Sequence, residues 1–312
     1  MSSASRHPHT VLGNRPPVIV AGAHRSGTTL VVRLLERLGV FMGAAQEPNG
    51  EPYFFTRLNE WVLRRASGAW DRPQPAVEFL CDPHVAENVR ALLERRVHSA
   101  SFAEFTGLRR YLQTLGARRD IGPWGWKDPR NTITFDLWSR TFPGASLLLI
   151  ERNGIDAAQS LVVRQHRARE RAGDHMHLEM SPMPRAWGQL WRRKDRLQPY
   201  VTFSARCREW RDAFGLWEEY VRGGRRIHAA HQGPKHRIRY ESLLEDPVVE
   251  LTRLVDFLQL SVPRSQLETI ASEIRSDRRC AFQHDTDLME AYTSVRETEW
   301  MRALEYDSLI EV

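Results

Sequence analysis

Cysteine is scarce in this chain: three in 312 residues, at Cys81, Cys207 and Cys280. They are far apart and show neither the pairing of a disulfide framework nor a metal-binding rhythm, which leaves a reducing compartment as the expectation. Long apolar runs are missing too. The longest, Pro17 to Ala23 and Ser146 to Ile150, are far too short to cross a bilayer, so no membrane span is expected. The opening MSSASRHPHT lacks the apolar core of a secretory signal. Residues 1–15 therefore read as a flexible tail and the location as cytoplasmic. No repeat or low-complexity linker divides the remainder, so residues 16–312 are expected to form one domain. Nucleic-acid-binding motifs are also absent, and the basic stretches are interrupted by acids, so no nucleic-acid partner is expected.

What is present suits a soluble globular protein: hydrophobic residues make up 41% and charged residues 27%. Lys and Arg number 45 against 39 acids, a net charge of +6 with a pI near 9.5. That balance favours anionic ligands without choosing among nucleotides, polyanions and acidic surfaces.

The order of patterns predicts an α/β fold. Pro17 to Gly22 is β-branched, apolar and bounded by turn residues, so it reads as a buried strand. Leu30, Leu34, Leu35 and Leu38 recur at helical spacing up to Gly39. Helices are predicted around Phe54 to Arg65, His84 to His98, Phe102 to Leu115, Ile133 to Phe142, Ile155 to Arg169, Ala205 to Arg222 and Pro247 to Leu258. Strands are predicted at Trp124 to Lys127, Ser146 to Ile150 and His236 to Tyr240, and a polar loop from Arg171 to Pro184. Alternating strands and helices predict a mostly parallel central sheet covered on both faces, a three-layer sandwich.

Between the first strand and helix stands Gly22-Ala23-His24-Arg25-Ser26-Gly27-Thr28-Thr29. Its glycine spacing is that of a phosphate-cradling turn, where backbone N–H groups and the helix dipole receive an anion. Nucleotide triphosphatases place Lys directly after the second glycine to clamp the β- and γ-phosphates. Here that position is Thr28, and the cation is Arg25 instead. A second strand end, Ser146 to Ile150, runs into Glu151-Arg152-Asn153-Gly154, with Ser160 two turns into the following helix. An arginine at such an end favours an anion where a magnesium-using ATPase commonly has a metal-binding Asp. Taken alone, Arg152 reads equally well as a surface ion-pair partner.

Together these segments resemble the sulfotransferase family that uses 3′-phosphoadenosine 5′-phosphosulfate (PAPS), in particular its bacterial and carbohydrate-type members. Arg25 to Thr29 is similar to the family's 5′-phosphosulfate loop, and Arg152-Asn153 with Ser160 to its 3′-phosphate motif. A third stretch, Ile238-Arg239-Tyr240-Glu241-Ser242-Leu243-Leu244 followed by Asp246-Pro247, also looks like the family. The resemblance implies a P-loop-like α/β fold and metal-independent transfer of a sulfuryl group from PAPS, leaving adenosine 3′,5′-bisphosphate. The acceptor would be a hydroxyl or amine of a small molecule or carbohydrate. Carried over by position, Arg25 would contact the transferring group, and Ser26, Gly27, Thr28 and Thr29 the 5′-phosphate. Arg152 and Ser160 would hold the 3′-phosphate, with Tyr240 near the adenine.

In-line sulfuryl transfer needs positioned cations and a base. Arg25 and Lys127, in Trp126-Lys127-Asp128-Pro129-Arg130, are the candidate cations. Several carbohydrate, protein-tyrosine and bacterial members of the family carry a glutamate base in the region after the first helix, where Glu47 and Glu51 stand. Glu51 is the favoured base because it immediately precedes the helix predicted from Phe54 and could be held rigidly; Glu47, His24 and His166 are the other candidates. The basic and aromatic stretch Arg164 to Arg211, with Arg192-Arg193-Lys194 and Trp187, Trp191 and Trp210, reads as a solvated helix face over a buried aromatic stripe, or as an acceptor surface. His175 and His177 read as polar surface. Competing readings are a P-loop kinase or NTPase, and a non-catalytic nucleotide- or polyanion-binding protein.

Overall fold

The computed structural model describes residues 15–117, 122–179 and 204–310. Four strands form one all-parallel sheet: β1 Val18–Gly22, β2 Gly125–Lys127, β3 Ser146–Glu151 and β4 Lys235–Arg239, in the order β2-β1-β3-β4. Register runs from Val18 opposite Ser146 to Gly22 opposite Ile150, and from Leu147 opposite Lys235 to Glu151 opposite Arg239. Parallel pairing requires crossovers, and helices provide them.

Alternation along the strands sends side chains into two cores. Ile19, Ala21, Leu147 and Leu149 pack on one face with Phe55, Trp126 and Trp138. Val18, Val20, Leu148, Ile150 and Ile238 pack on the other with Val31, Leu35 and Leu251. These contacts bring helix α1 (Thr28–Arg37) to one face and α2 (Tyr53–Arg65) with α7 (Asn131–Thr141) to the opposite one. The expected three-layer arrangement is thus present. Phe55 stacks on Trp126 with ring centroids 3.9 Å apart, a contact worth about 0.5–1.5 kcal/mol beyond burial.

On the α2 side follow α3 (Gln74–Leu80), α4 (Pro83–Val97), α5 (Ala103–Thr106) and α6 (Leu108–Ala117). A single helix over Phe102 to Leu115 is not what forms. Gly107 takes φ 77° and breaks it, because that left-handed turn cannot continue a helix. A third core joins α8 (Gly154–Glu179) and α9 (Trp210–Ala230) to the C-terminal segments through Leu161, Trp217, Tyr220, Phe282, Tyr292 and Tyr306.

Three further elements differ from their predicted bounds. Helix α8 continues through Glu179, so residues 171–179 of the expected loop are helical; a polar run with a single interior glycine, Gly173, can still propagate a helix, and the prolines come only at Pro182 and Pro184. The aromatic helix begins at Trp210 and runs to Ala230, tolerating Gly223 and Gly224, of which Gly224 lets the helix approach Leu149. Strand β4 stops at Arg239, and Tyr240 opens the short helix α10 (Tyr240–Glu245). Helices α11 (Pro247–Phe257), α12 (Arg264–Ser272), α13 (Thr286–Val295) and α14 (Glu299–Ala303) complete the chain. Trp187, Trp191, Arg192-Arg193-Lys194 and the side chains of His175 and His177 lie outside the described residues.

Candidate active site

Because all four strands are parallel, their carboxyl ends share one edge of the sheet, and the segments leaving those ends converge there. β1 delivers the turn 23–27, β2 ends on Lys127, β3 leads into Arg152, and β4 hands over to Tyr240. All of them border a single cavity of about 1210 Å³. Nine cationic side chains line it against five carboxylates, so the wall carries a positive excess.

The turn is held in a conformation that costs energy locally. Arg25 takes φ 66° and Gly27 φ 87°. Glycine at 27 is required twice over, since a Cβ there would stand 2.2 Å from Tyr240 Cδ2. Gly27 also offers no side chain to cap α1, and no other side chain caps it. Leu30 N–H donates to the Gly27 carbonyl, but the Thr28 and Thr29 N–H groups keep their capacity for an anion. Ser26 is buried and donates its hydroxyl to the Ala23 carbonyl at 2.6 Å, which shapes the turn but takes that hydroxyl away from the cavity wall. Thr28 and Thr29 border the cavity, and Thr29 Oγ1 donates to the Asn49 carbonyl at 3.0 Å.

The second strand end meets the first. Arg25 Nε donates to Ser160 Oγ at 2.8 Å, and Arg152 Nη1 donates to the Arg25 carbonyl at 3.1 Å. Arg152 pairs with Asp156 at 3.2 Å and lies 4.6 Å from the centroid of the Tyr240 ring. Its Nε is buried without a hydrogen-bond partner, a donor that a bound ligand would satisfy. Asn153 anchors the β3–α8 turn by donating its side-chain amide to Asp156 and to Glu241, which also accepts from Tyr306.

At the end of β2, Lys127 Nζ donates to Glu51 Oε1 at 2.8 Å, and Lys127 is only 1% exposed. Its segment is fixed by Asn59, whose amide donates to Asp128 and Asn131 and accepts from Thr134 and Trp138. Asp128 in turn pairs with Arg130 at 2.9 Å. Burial works to raise the pKa of Glu51, but Lys127, Arg130 and Arg164 outweigh it and hold the carboxyl below its ordinary value. Among the described residues Glu47 makes no ion pair. Burial and the neighbouring Glu51 push it up to about 7. Burial and the adjoining cations Arg164, Arg152 and Arg167 lower Arg25.

His24 borders the cavity with its ring edge-on to Trp70 at 4.9 Å and to Tyr220 at 5.0 Å. Burial, then Arg164, Arg130, Lys127 and Arg25, hold its pKa well below the usual histidine value, so it is neutral at pH 7. His166 is exposed and does not border the cavity.

Arg25, Thr28, Thr29, Glu51, Lys127, Arg152, Ser160 and Tyr240 are therefore brought together, and Gly27 with them. The motifs did not single out Arg130, Asn59, Asp156, Arg164 or Arg278. Arg164 stands one turn after Ser160 and was legible from helical spacing; Arg278 carried no local signal. Among the described residues no group of three or more His, Cys, Asp or Glu is placed to hold a metal ion, and no helix is long and apolar enough to cross a membrane.

A four-stranded parallel sheet flanked by helices, with a glycine turn after β1 and a cationic cavity at its carboxyl edge, defines a P-loop-like α/β class of protein. The sequence pattern of the sulfotransferase family matches residues 16–264, and the chain belongs to that family. No curated protein matches it in sequence. Among solved structures it is similar to a sulfotransferase from Alicyclobacillus acidocaldarius, with 17% identity, 95% of this chain and 98% of that one covered, and a TM-score of 0.46. It is also similar to the sulfotransferase domain of the curacin biosynthetic pathway, with 15% identity, coverage of 96% and 100%, and a TM-score of 0.45. A third is the sulfotransferase domain of the Synechococcus PCC 7002 olefin synthase, with 18% identity, coverage of 91% and 89%, and a TM-score of 0.42.

Proposed function

We propose that this sulfotransferase takes its sulfuryl group from PAPS and passes it to a hydroxyl or amine of a small-molecule or carbohydrate acceptor by in-line displacement. The observation that carries the reading is the joining of two anion seats, the turn at Arg25–Thr29 and the Arg152–Ser160 strand end, by the 2.8 Å Arg25–Ser160 hydrogen bond. Two seats on one wall suit a donor with two separate phosphate groups. The orphaned Arg152 Nε and the positive excess of the wall support the fit. PAPS supplies an activated sulfuryl group on a phosphate anhydride; the chain supplies position and charge.

In this reading the N–H groups of Gly27, Thr28 and Thr29 hold the 5′-phosphate, and the Ser26 hydroxyl serves by fixing the turn. Arg152 and Ser160 hold the 3′-phosphate, and Tyr240 stands beside the adenine. Arg25 and Lys127 offset the negative charge that grows on the leaving oxygen, a preorganised electrostatic contribution. Glu51, kept ionised by its cations, accepts the acceptor's proton. A proton arriving there loosens its hold on Lys127 and leaves that ammonium free to face the leaving group.

Calorimetric titration with adenosine 3′,5′-bisphosphate in metal-free buffer, beside ADP and Mg·ATP, tests the donor assignment. Tight binding that requires the 3′-phosphate is the expected outcome. Preference for Mg·ATP would replace the reading with an NTP-using enzyme, and binding of none would leave a non-catalytic protein.

A further inference from the structure

Most cations of the cavity already have partners. Arg25 is bonded to Ser160, Lys127 to Glu51, Arg130 to Asp128, Arg152 to Asp156 and Arg64 to Glu60. Arg33 and Arg167 are exposed, where water serves them. Arg164 is different. It is half-buried, its guanidinium lies 4.4 Å from the centroid of the Trp70 ring, and it makes no ion pair among the described residues. The carboxylates that act on it, Glu51 and Asp71, do so only at longer range. Burial lowers its pKa, and the longer-range influence of Glu51 and Asp71 offsets this only in part. Such a charge is costly to keep unless a ligand completes it.

Its position on the cavity wall is one step beyond the donor seats along α8. Arg164 stands one turn beyond Ser160 on α8, about 6 Å further along the helix axis. Trp70, which orients its guanidinium, comes from the segment after α2, the helix that begins beside Glu51. Arg164 acts electrostatically on Glu51, His24 and Arg25, the groups that flank the transfer position. An arginine whose guanidinium carbon sits over an aromatic ring keeps its N–H groups available for recognition of an oxyanion.

We infer that Arg164, held by Trp70, is a specificity-determining residue that receives an oxyanion of the acceptor. The acceptor is then a hydroxyl or amine compound carrying a carboxylate, sulfate or phosphate group near the reacting position. This rests on the sulfuryl-transfer reading above, and it goes further by assigning the acceptor's charge.

The test uses the full chain saturated with adenosine 3′,5′-bisphosphate, titrated with malonate in one arm and inorganic sulfate in the other. A second, saturable anion is expected, weakened at least tenfold by Arg164→Gln and less by Arg164→Lys, with unchanged nucleotide affinity and unchanged circular dichroism. The arm that binds more tightly separates a carboxylate acceptor from a sulfated or phosphorylated one. Absence of a second anion in both arms, with nucleotide bound normally, would overturn the inference and leave the sulfuryl-transfer reading standing. A matching loss of nucleotide affinity in Arg164→Gln would assign the residue to the donor and overturn it too. Loss of the second anion in Arg25→Gln but not in Arg164→Gln would put that anion at the sulfuryl position, with the same consequence. If the nucleotide itself fails to bind, the donor reading falls, and titration of the free chain still reads the dependence on Arg164.

Discussion

Removing one side of the buried Lys127–Glu51 pair should cost unequal amounts depending on which side is removed. Glu51 feels Lys127, Arg130 and Arg164 together, so it keeps two cations when Lys127 is replaced. Lys127 has one carboxylate in contact, at 2.8 Å, while the nearby Asp128 is committed to Arg130 at 2.9 Å. Glu51→Gln leaves a buried ammonium facing an amide oxygen. Breaking a buried pair in this way costs about 3–5 kcal/mol, and the remaining hydrogen bond puts this variant near 3 kcal/mol. Lys127→Met preserves the apolar stem and leaves Glu51 with its two arginines, for a cost of about 1–2 kcal/mol. The double variant should cost less than the sum of the singles by roughly 1–2 kcal/mol. Urea unfolding at pH 7, followed by tryptophan fluorescence and far-UV circular dichroism, measures all three. The sign with pH follows from the lowered pKa of Glu51. Its contribution is present above the ordinary carboxylate value of 4.5 and is lost as pH falls through the folded value. The gap between wild type and Glu51→Gln should therefore persist at pH 7 and shrink below about pH 4.5. A Lys127→Met variant as costly as Glu51→Gln, or fully additive costs, would refute the reasoning.

Gly27→Ala should weaken adenosine 3′,5′-bisphosphate binding by more than tenfold and lower stability by about 1–3 kcal/mol, since it combines the strained φ of 87° with a collision against Tyr240. Calorimetry and urea unfolding read the two effects separately. Arg152→Ala should weaken the same nucleotide about 10- to 100-fold in a folded protein, the loss expected of a charge-assisted contact; unchanged affinity would count against the 3′-phosphate seat. In single-turnover assays Glu51→Gln should slow transfer by about 10²–10⁴ while nucleotide affinity changes little. Glu47, with its pKa raised to about 7, binds a proton more readily folded than unfolded. Wild-type stability should thus decline as pH rises from about 4.5 through 7 by an amount on the order of 1–3 kcal/mol. Glu47→Gln should remove that decline.

Some of this protein is written locally in its sequence. The strand Val18–Gly22, the turn with Gly27, and the helix after it form a contiguous unit whose apolar period and glycine spacing are short-range properties. The same holds for Ser146–Glu151 with Arg152, and for the Asp246-Pro247 start of α11, where Asp246 caps the helix. Because each of these units ends a strand or begins a helix, a parallel sheet gathers their functional residues at one edge without further instruction. The features that were not legible depend on contacts between distant segments. Glu51 and Lys127 are 76 residues apart, and only the packing of α2 against β2 and α7 makes a buried ion pair of two residues that the sequence offers only as separate candidates. The same folding turns Ser26 inward although its motif suggested a ligand contact, and leaves Glu47 desolvated beside Glu51. The C-terminal segments, which build the third core through Phe282, Tyr292 and Tyr306, carry weak local periodicity and are ordered by burial. Burial and charge environment are sums over neighbours from the whole chain. The sequence by itself therefore determined which turn and strand ends meet at the carboxyl edge, whereas the tertiary structure alone decided which carboxylate is held ionised by cations and which cavity arginine makes no ion pair among the described residues.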